Sequence, residues 1–270
     1  MKVKLEFTKL SGAGNDFVVI DNRRNILPGS PAKMAVKLCA AKTGIGADGV
    51  LLLEKSKRAA FKMRVINPDG SEAEMCGNGA RCLARYAYLR KIAPNRMVFE
   101  TKAGLIGAAV KGTEVKLRLS APHDLRELKI ILDGAMRDIF FINTGVPHAV
   151  TFVRRIEQLD VVSWGRTIRN HALFNPAGTN ADFVAKIDSH NIAVRTYERG
   201  VEDETLACGT GSVASALVGA RELGLLSPVR VHTRGGEVLK IYFNRSGDKF
   251  SEVYLEGEVK YLFDGIWKEI

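Results

Sequence analysis

The sequence contains no apolar run approaching the roughly 20 residues that a membrane-spanning helix needs. Its first residues, Met1-Lys2-Val3-Lys4-Leu5-Glu6-Phe7-Thr8, alternate polar and apolar as a strand does and lack a signal peptide's apolar core, so a cytoplasmic protein is expected. Cysteine is scarce. Four of them (Cys39, Cys76, Cys82 and Cys208) in 270 residues make no disulfide scaffold. No CxxC and no paired Cys/His spacing occurs, and the five histidines are scattered, so no metal site is expected. The net charge is +10, yet lysine and arginine form no basic block and no stacking-aromatic motif accompanies them. Nucleic-acid binding is therefore not expected, and a basic surface suits an anionic small substrate better. With 46% hydrophobic and 26% charged residues the chain has the composition of a folded protein, enough for one large or two ordinary domains.

What the chain does have is one motif written twice. Glu74-Met75-Cys76-Gly77-Asn78-Gly79-Ala80-Arg81 has its counterpart in Leu206-Ala207-Cys208-Gly209-Thr210-Gly211-Ser212. Each copy sets a cysteine before a Gly-x-Gly turn and runs into a helical pattern of small and apolar residues. The match extends outward. Gly12 lies 64 residues before Cys76, and Gly145 lies 63 before Cys208. Gly44-Ile45-Gly46-Ala47-Asp48-Gly49-Val50 aligns with Gly178-Thr179-Asn180-Ala181-Asp182-Phe183-Val184 at an offset of 134, against 132 for the cysteines. The chain reads as a tandem duplication of an α/β unit about 130 residues long.

Short strands bounded by Gly, Pro, Asn or Asp are expected at 17–21, 50–54, 115–120, 139–143 and 192–197. Helices are expected after each cysteine, at 32–39, and within 157–174. Many strands and one small-residue helix per half predict an α+β fold: two pseudo-symmetric repeats, each a mostly antiparallel sheet wrapped around a central helix, with the active site in the interdomain cleft. The expected domains are 1–121, with 262–270 returning to it, and 122–261.

A thiol at a helix N-terminus sits among unpaired N–H groups and the positive end of the macrodipole, which is expected to lower its pKa. The glycines let a ligand carboxylate approach the same N–H groups. Two such thiols on opposite faces of one carbon could remove and return a proton, inverting the centre without a cofactor. The helix ends would stabilise the carbanion.

Lys9-Leu10-Ser11-Gly12-Ala13-Gly14-Asn15-Asp16-Phe17, Asn67-Pro68-Asp69-Gly70-Ser71-Glu72, Cys76-Gly77-Asn78-Gly79-Ala80-Arg81-Cys82 and Tyr197-Glu198-Arg199-Gly200, with Ala207-Cys208-Gly209-Thr210-Gly211, resemble the diaminopimelate epimerase family. The resemblance runs from Lys9 to about Glu222. It implies interconversion of L,L- and meso-diaminopimelate, on the route to lysine and peptidoglycan, without PLP or metal, and a homodimer. It assigns Cys76 and Cys208 as the two catalytic bases and His148 as the histidine that supports the thiol chemistry. Asn15, Asn67, Asn180, Glu198 and Arg199 match substrate-contacting side chains, with Glu198 also placed among the catalytic groups. Gly77, Asn78, Gly209 and Thr210 match a backbone carboxylate cradle. Val146 stands where many members have asparagine, and Gly49 where some have glutamine. Arg199 could pair a second carboxylate, and Glu198 with Asn67 a second ammonium.

A two-thiol racemase of proline, hydroxyproline or histidine is the neighbouring alternative, although a compact monocarboxylate would leave Arg199 and Glu198 uncompensated. A redox protein with a Cys76–Cys208 disulfide is the alternative of another class. Cys39 and Cys82 are expected in the core. His123, His171, His190 and His232 are expected as surface or hydrogen-bonding histidines. Asp48 and Asp182 are expected as turn or cap residues, and Arg81 and Arg85 as solvated or ion-paired.

Overall fold

The structure, a computed structural model, describes residues 3–269. The chain folds into two compact units, one running to Arg118 and resumed from Gly257, the other spanning Leu119–Glu256.

The first unit contains β1 (Val3–Gly12), β2 (Asn15–Asp21), α1 (Pro31–Cys39), β3 (Gly49–Glu54), β4 (Lys62–Ile66), β5 (Glu72–Ala73), α2 (Gly77–Leu89), β6 (Arg96–Thr101), β7 (Gly104–Lys111) and β8 (Glu114–Arg118). The second contains β9 (His123–Leu132), β10 (Ala135–Asn143), β11 (Pro147–Phe152), α3 (Val161–Arg169), β12 (Asn180–Lys186), β13 (Asn191–Glu198), β14 (Asp203–Thr205), α4 (Gly209–Glu222), β15 (Val229–Thr233), β16 (Val238–Ser246) and β17 (Lys249–Glu258). The last strand, β18 (Lys260–Glu269), lies antiparallel on β1 in the first unit.

The two sheets have the same connectivity. In the first, β1-β2-β3-β4-β6-β7-β8 are neighbours in that order, with β5 on β4. In the second, the matching order is β10-β11-β12-β13-β15-β16, with β14 on β13 and β17 closing on β16. Among the described residues β2–β3, β4–β6, β11–β12 and β13–β15 pair in parallel, and each antiparallel majority frames one central helix. The fold is α+β, built on two topologically equivalent repeats. β9 flanks β10 where β18, from the other end of the chain, flanks β1.

Central strands covered on both faces read as continuous apolar runs, which is why Phe17–Ile20 and Val50–Leu53 show no polar alternation. Successive side chains still point to opposite faces. Val18, Ile20, Val50 and Leu52 pack with Met34, Ala35 and Leu38 of α1. On the other face, a Cβ built at Gly79 of α2 would come within 2.9 Å of Leu51. The second unit repeats the division. Ala149, Ala181, Phe183 and Tyr197 pack with Val161 and Ile168 of α3, leaving the alternate residues of those strands to face α4. Every residue of α4 from Gly211 to Ala220 is buried. Its Ala, Ser and Gly side chains let strands approach on all sides, so it shows no apolar stripe. The 157–174 region holds α3 between one-turn 3₁₀ helices at Ile156–Gln158 and Ala172–Phe174. The strand expected at 115–120 ends at Arg118.

Cys39 and Cys82 are buried, as their small apolar character predicts. Arg81 corrects the expectation of a solvated side chain. It is fully buried, and its Nη2 donates to Asn78 Oδ1 at 2.8 Å within the first turns of α2. Arg85 is half-buried and donates to the Val259 carbonyl. No helix of the described residues is long and apolar enough to cross a membrane.

Gly165 marks a close helix–sheet approach in the second unit. A Cβ there would lie 2.3 Å from Tyr197 Cβ, an atom that no rotamer change can withdraw, and 2.5 Å from its Cγ. Gly165→Ala should therefore destabilise this unit by about 1–3 kcal/mol, overriding the alanine's helix propensity. Urea unfolding followed by Trp164 fluorescence checks this, because Trp164 packs against the same core.

Candidate active site

Cys76 and Cys208 are the N-cap residues of α2 and α4, both in extended backbone conformation. Each sulfur accepts from the third N–H of its helix: Cys76 Sγ from Gly79 N at 3.5 Å, Cys208 Sγ from Gly211 N at 3.4 Å. The fourth N–H groups, of Ala80 and Ser212, bond the cap carbonyls at 2.7 and 2.9 Å. The N–H groups of Gly77, Asn78, Gly209 and Thr210 thus precede the helix ladders, where a carboxylate can take them. Apart from its chain neighbours and its own helix backbone, no described residue comes within 4 Å of a Cβ built at Gly77, so a ligand can reach that backbone. All four cysteines are thiols.

Around Cys208 the second unit assembles a buried polar chain. His148 and Asp182 stand on adjacent parallel strands, and Thr196 sits directly across from Asp182 in β13. All three use the sheet face opposite α3, so they point toward the start of α4. His148 Nδ1 lies 2.7 Å from Asp182 Oδ2, and both side chains are fully buried. Thr196 Oγ1 donates to Asp182 Oδ1 at 2.7 Å. His148 Nε2 lies 3.0 Å from Thr210 Oγ1, which is 3.5 Å from Cys208 Sγ. Gly211 has to be glycine, because a Cβ there would fall 2.3 Å from Asp182 Oδ1.

Burial, reinforced by the charges of Glu198 and Asp182, pushes the Cys208 thiol far above its ordinary value. This corrects the expectation that the helix end lowers it. A helix terminus contributes about 0.3–2 kcal/mol, little more than one pKa unit. Full burial can raise an acid by about 3–5 units. Burial wins, and the net direction for Cys208 is upward, toward the thiol form. Burial likewise raises the Glu198 carboxyl, with Thr205 and His148 opposing it and Asp182 adding to it. The Cys39 thiol, also buried, is pushed up to about 11.

The first unit builds the same network from other side chains. Asn15 Nδ2 donates to Asp48 Oδ2 at 3.1 Å, and Asn78 Nδ2 donates to Asn15 Oδ1 at 2.7 Å. In the repeat alignment Asn15, Asp48 and Asn78 stand where the second unit has His148, Asp182 and Thr210. Asp48 also bonds the backbone N–H of Asp16 at 3.0 Å, holding the loop before β3 as a turn residue does.

Asn67 heads a turn closed by Gly70 N to its carbonyl, with Nδ2 on Ser71 Oγ at 3.0 Å. Asn180 is buried; it donates to the Pro147 carbonyl at 3.0 Å and accepts from Arg199 N at 2.8 Å. Arg199 is half-buried, with Nη1 on the Ala177 carbonyl at 2.9 Å. The second unit thus brings Cys208, Thr210, His148, Glu198, Asn180 and Arg199 together, and the first brings together Cys76, Gly77, Asn78 and Asn15. Asp182 corrects its reading as a turn or cap residue: it lies inside β12, fully buried, because the apolar residues flanking it face α3. Its signal in the sequence was a charged residue inside the otherwise apolar run Ala181–Ala185. His171 bonds Leu173 N nearby in the chain, His190 and His232 bond the distant Pro228 carbonyl and Asn191 Oδ1, and His123 is exposed. Among the described residues no three His, Cys, Asp or Glu side chains form a metal-binding group.

A family model described as diaminopimelate epimerase matches residues 7–121 and 140–262. The diaminopimelate epimerase of Aquifex aeolicus is 46% identical, with 97% of each chain covered. That of Archaeoglobus fulgidus is 42% identical over 98% of this chain and 96% of its own. Among solved structures, a phenazine biosynthesis protein of the PhzF family from Bacillus anthracis superposes with a TM-score of 0.75 at 15% identity, covering 98% and 99% of the two chains. A hydroxyproline epimerase from Agrobacterium vitis, with bound trans-4-hydroxy-L-proline, gives 0.71 at 14%, covering 98% and 93%. These distant likenesses fix the fold. The relatives sharing more than 40% of their residues over nearly the whole length, together with the family match on both cysteine-capped repeats, place this chain in the diaminopimelate epimerase family.

Proposed function

We propose that this protein is an isomerase that interconverts L,L- and meso-diaminopimelate by moving the α-proton between two thiols. The observation that supports it most directly is the pair of cysteine N-caps, each at the head of a buried helix in topologically equivalent units. Inversion needs a base on one face of the α-carbon and an acid on the other. Cys76 and Cys208 take these roles, exchanging them with the direction of reaction. The α-carboxylate is held by the N–H groups of Gly77, Asn78, Gly209 and Thr210, whose helix dipoles oppose the negative charge that develops as the proton leaves. His148 and Glu198 govern the protonation of Cys208. Asn15, Asn67, Asn180, Glu198 and Arg199 receive the far amino-acid group. No cofactor takes part in these steps. The cytoplasm is the proposed compartment and a homodimer the proposed assembly, for which light scattering should return twice the 29.6 kDa chain mass and not that mass.

In D2O the reduced protein should exchange the α-proton of L,L-diaminopimelate and form the meso isomer, leaving proline and histidine untouched. Exchange on proline instead would keep the thiol chemistry and replace the substrate. Cys76→Ala and Cys208→Ala should each lower turnover by at least about 10³-fold with circular dichroism unchanged, since either loss leaves one face without its proton carrier. Full activity in either variant is incompatible with two-base inversion. Arg199→Ala should raise KM about tenfold or more with a small effect on stability, because its guanidinium is half-buried and bonds a single loop carbonyl. An unchanged KM would remove Arg199 from the distal carboxylate.

A further inference from the structure

We propose that Asp182 is a positioning residue for the proton chemistry of Cys208, acting through His148 and Thr210. The inference rests on the function proposed above but concerns a residue outside the set assigned there. Its basis is a single line of contacts: Asp182 Oδ2 to His148 Nδ1 at 2.7 Å, His148 Nε2 to Thr210 Oγ1 at 3.0 Å, and Thr210 Oγ1 to Cys208 Sγ at 3.5 Å.

The hydrogen-bond roles along that line follow from Asp182. Its carboxylate accepts from Thr196 Oγ1 on one oxygen, so the other oxygen is left to accept from His148. The Nδ1 of His148 then bears the proton and Nε2 is a bare lone pair. Thr210 must donate its hydroxyl proton to Nε2, which turns an oxygen lone pair toward the Cys208 S–H. The thiol loses its proton in one concerted shift. The S–H bond breaks with its electron pair left on sulfur, and that proton bonds Thr210 Oγ1. The proton already on Thr210 Oγ1 passes to His148 Nε2. A thiolate and an imidazolium result, with the imidazolium held against the Asp182 carboxylate. Run backward from thiolate and imidazolium, the same shift passes the Nε2 proton of His148 to Thr210 Oγ1 and the hydroxyl proton of Thr210 to sulfur, restoring the neutral imidazole and the thiol.

This relay resolves the conflict between a thiol whose burial keeps it protonated and a reaction that needs its thiolate in one direction. The titratable groups facing His148 are Asp182 from β12, Glu198 from β13 and Cys208 at the start of α4. Of these, Asp182 is the one that bonds Nδ1 among the described residues. The first unit provides the contrast. Asn15 occupies the His148 position between Asp48 and Asn78, and a carboxamide cannot store a proton. The structure therefore assigns a stored proton to the Cys208 side and a fixed hydrogen-bond frame to the Cys76 side.

The test begins with the resting protein and no substrate. Long-range 1H–15N correlations should find His148 neutral with hydrogen on Nδ1 and none on Nε2. Finding hydrogen on Nε2 overturns the proposal. In Asp182→Ala, where no acceptor remains, the ring should change to the Nε2–H form. Asp182→Asn, which keeps the volume, should lower kcat in both directions by about 10²-fold or more. Its KM should stay within about threefold, since Asp182 reaches no substrate. A wild-type kcat in Asp182→Asn also overturns the proposal. Because the tautomer is read without substrate, a wild-type protein that exchanges no diaminopimelate would refute the proposed function while leaving this assignment to be decided by the spectrum alone.

Discussion

The rest of the structure depends on one requirement, a helix that begins inside a sheet and still presents its first N–H groups to a ligand. Burying a helix end normally strands several donors, each costing on the order of 1–3 kcal/mol if unmet. Cysteine as the N-cap meets one of them through sulfur, at 3.5 Å on α2 and 3.4 Å on α4, and its own carbonyl meets the next. The two that remain are positioned for an anion. In the proposed reaction the cap that completes the helix is also the proton carrier, so stability and chemistry would rest on the same atom.

That requirement shapes the surroundings. The helix has to be small-sided to lie within its sheet, hence the run of Ala, Ser and Gly through α4, buried without interruption from Gly211 to Ala220. Gly79 and Gly211, one turn in, stand where any side chain would strike Leu51 or Asp182. Strands covered on both faces divide their residues between two layers. One layer packs against α1 or α3 and is apolar; the other faces the helix start and supplies His148, Asp182, Thr196 and Glu198. The polar chemistry occupies one side of strands whose other side forms the core.

The repeats are equal in topology and unequal in chemistry. The same three positions hold Asp48, Asn15 and Asn78 in one unit and Asp182, His148 and Thr210 in the other, with closely similar bonds. A duplicated backbone supplies two comparable helix ends, and substitution of one side chain, Asn15 against His148, makes one network titratable and the other fixed.

The sequence by itself determined the duplication, the α+β class, the two helices behind the cysteines and the family, because local periodicity, glycine spacing and motif identity are properties of neighbours along the chain. It also placed Cys39 and Cys82 inside, since small apolar side chains follow burial. Three features depended on contacts between residues far apart in sequence. Asp182 read as a turn residue until the pairing of β11 with β12 set it beside His148, 34 positions away. Arg81 read as solvated or ion-paired; the solvated alternative fails because α2 is enclosed by its sheet and buries the side chain. The Cys208 thiol read as acidified by its helix end. Its actual balance is set by how much water the fold removes and by where Glu198 and Asp182 come to lie, and only tertiary packing determines those.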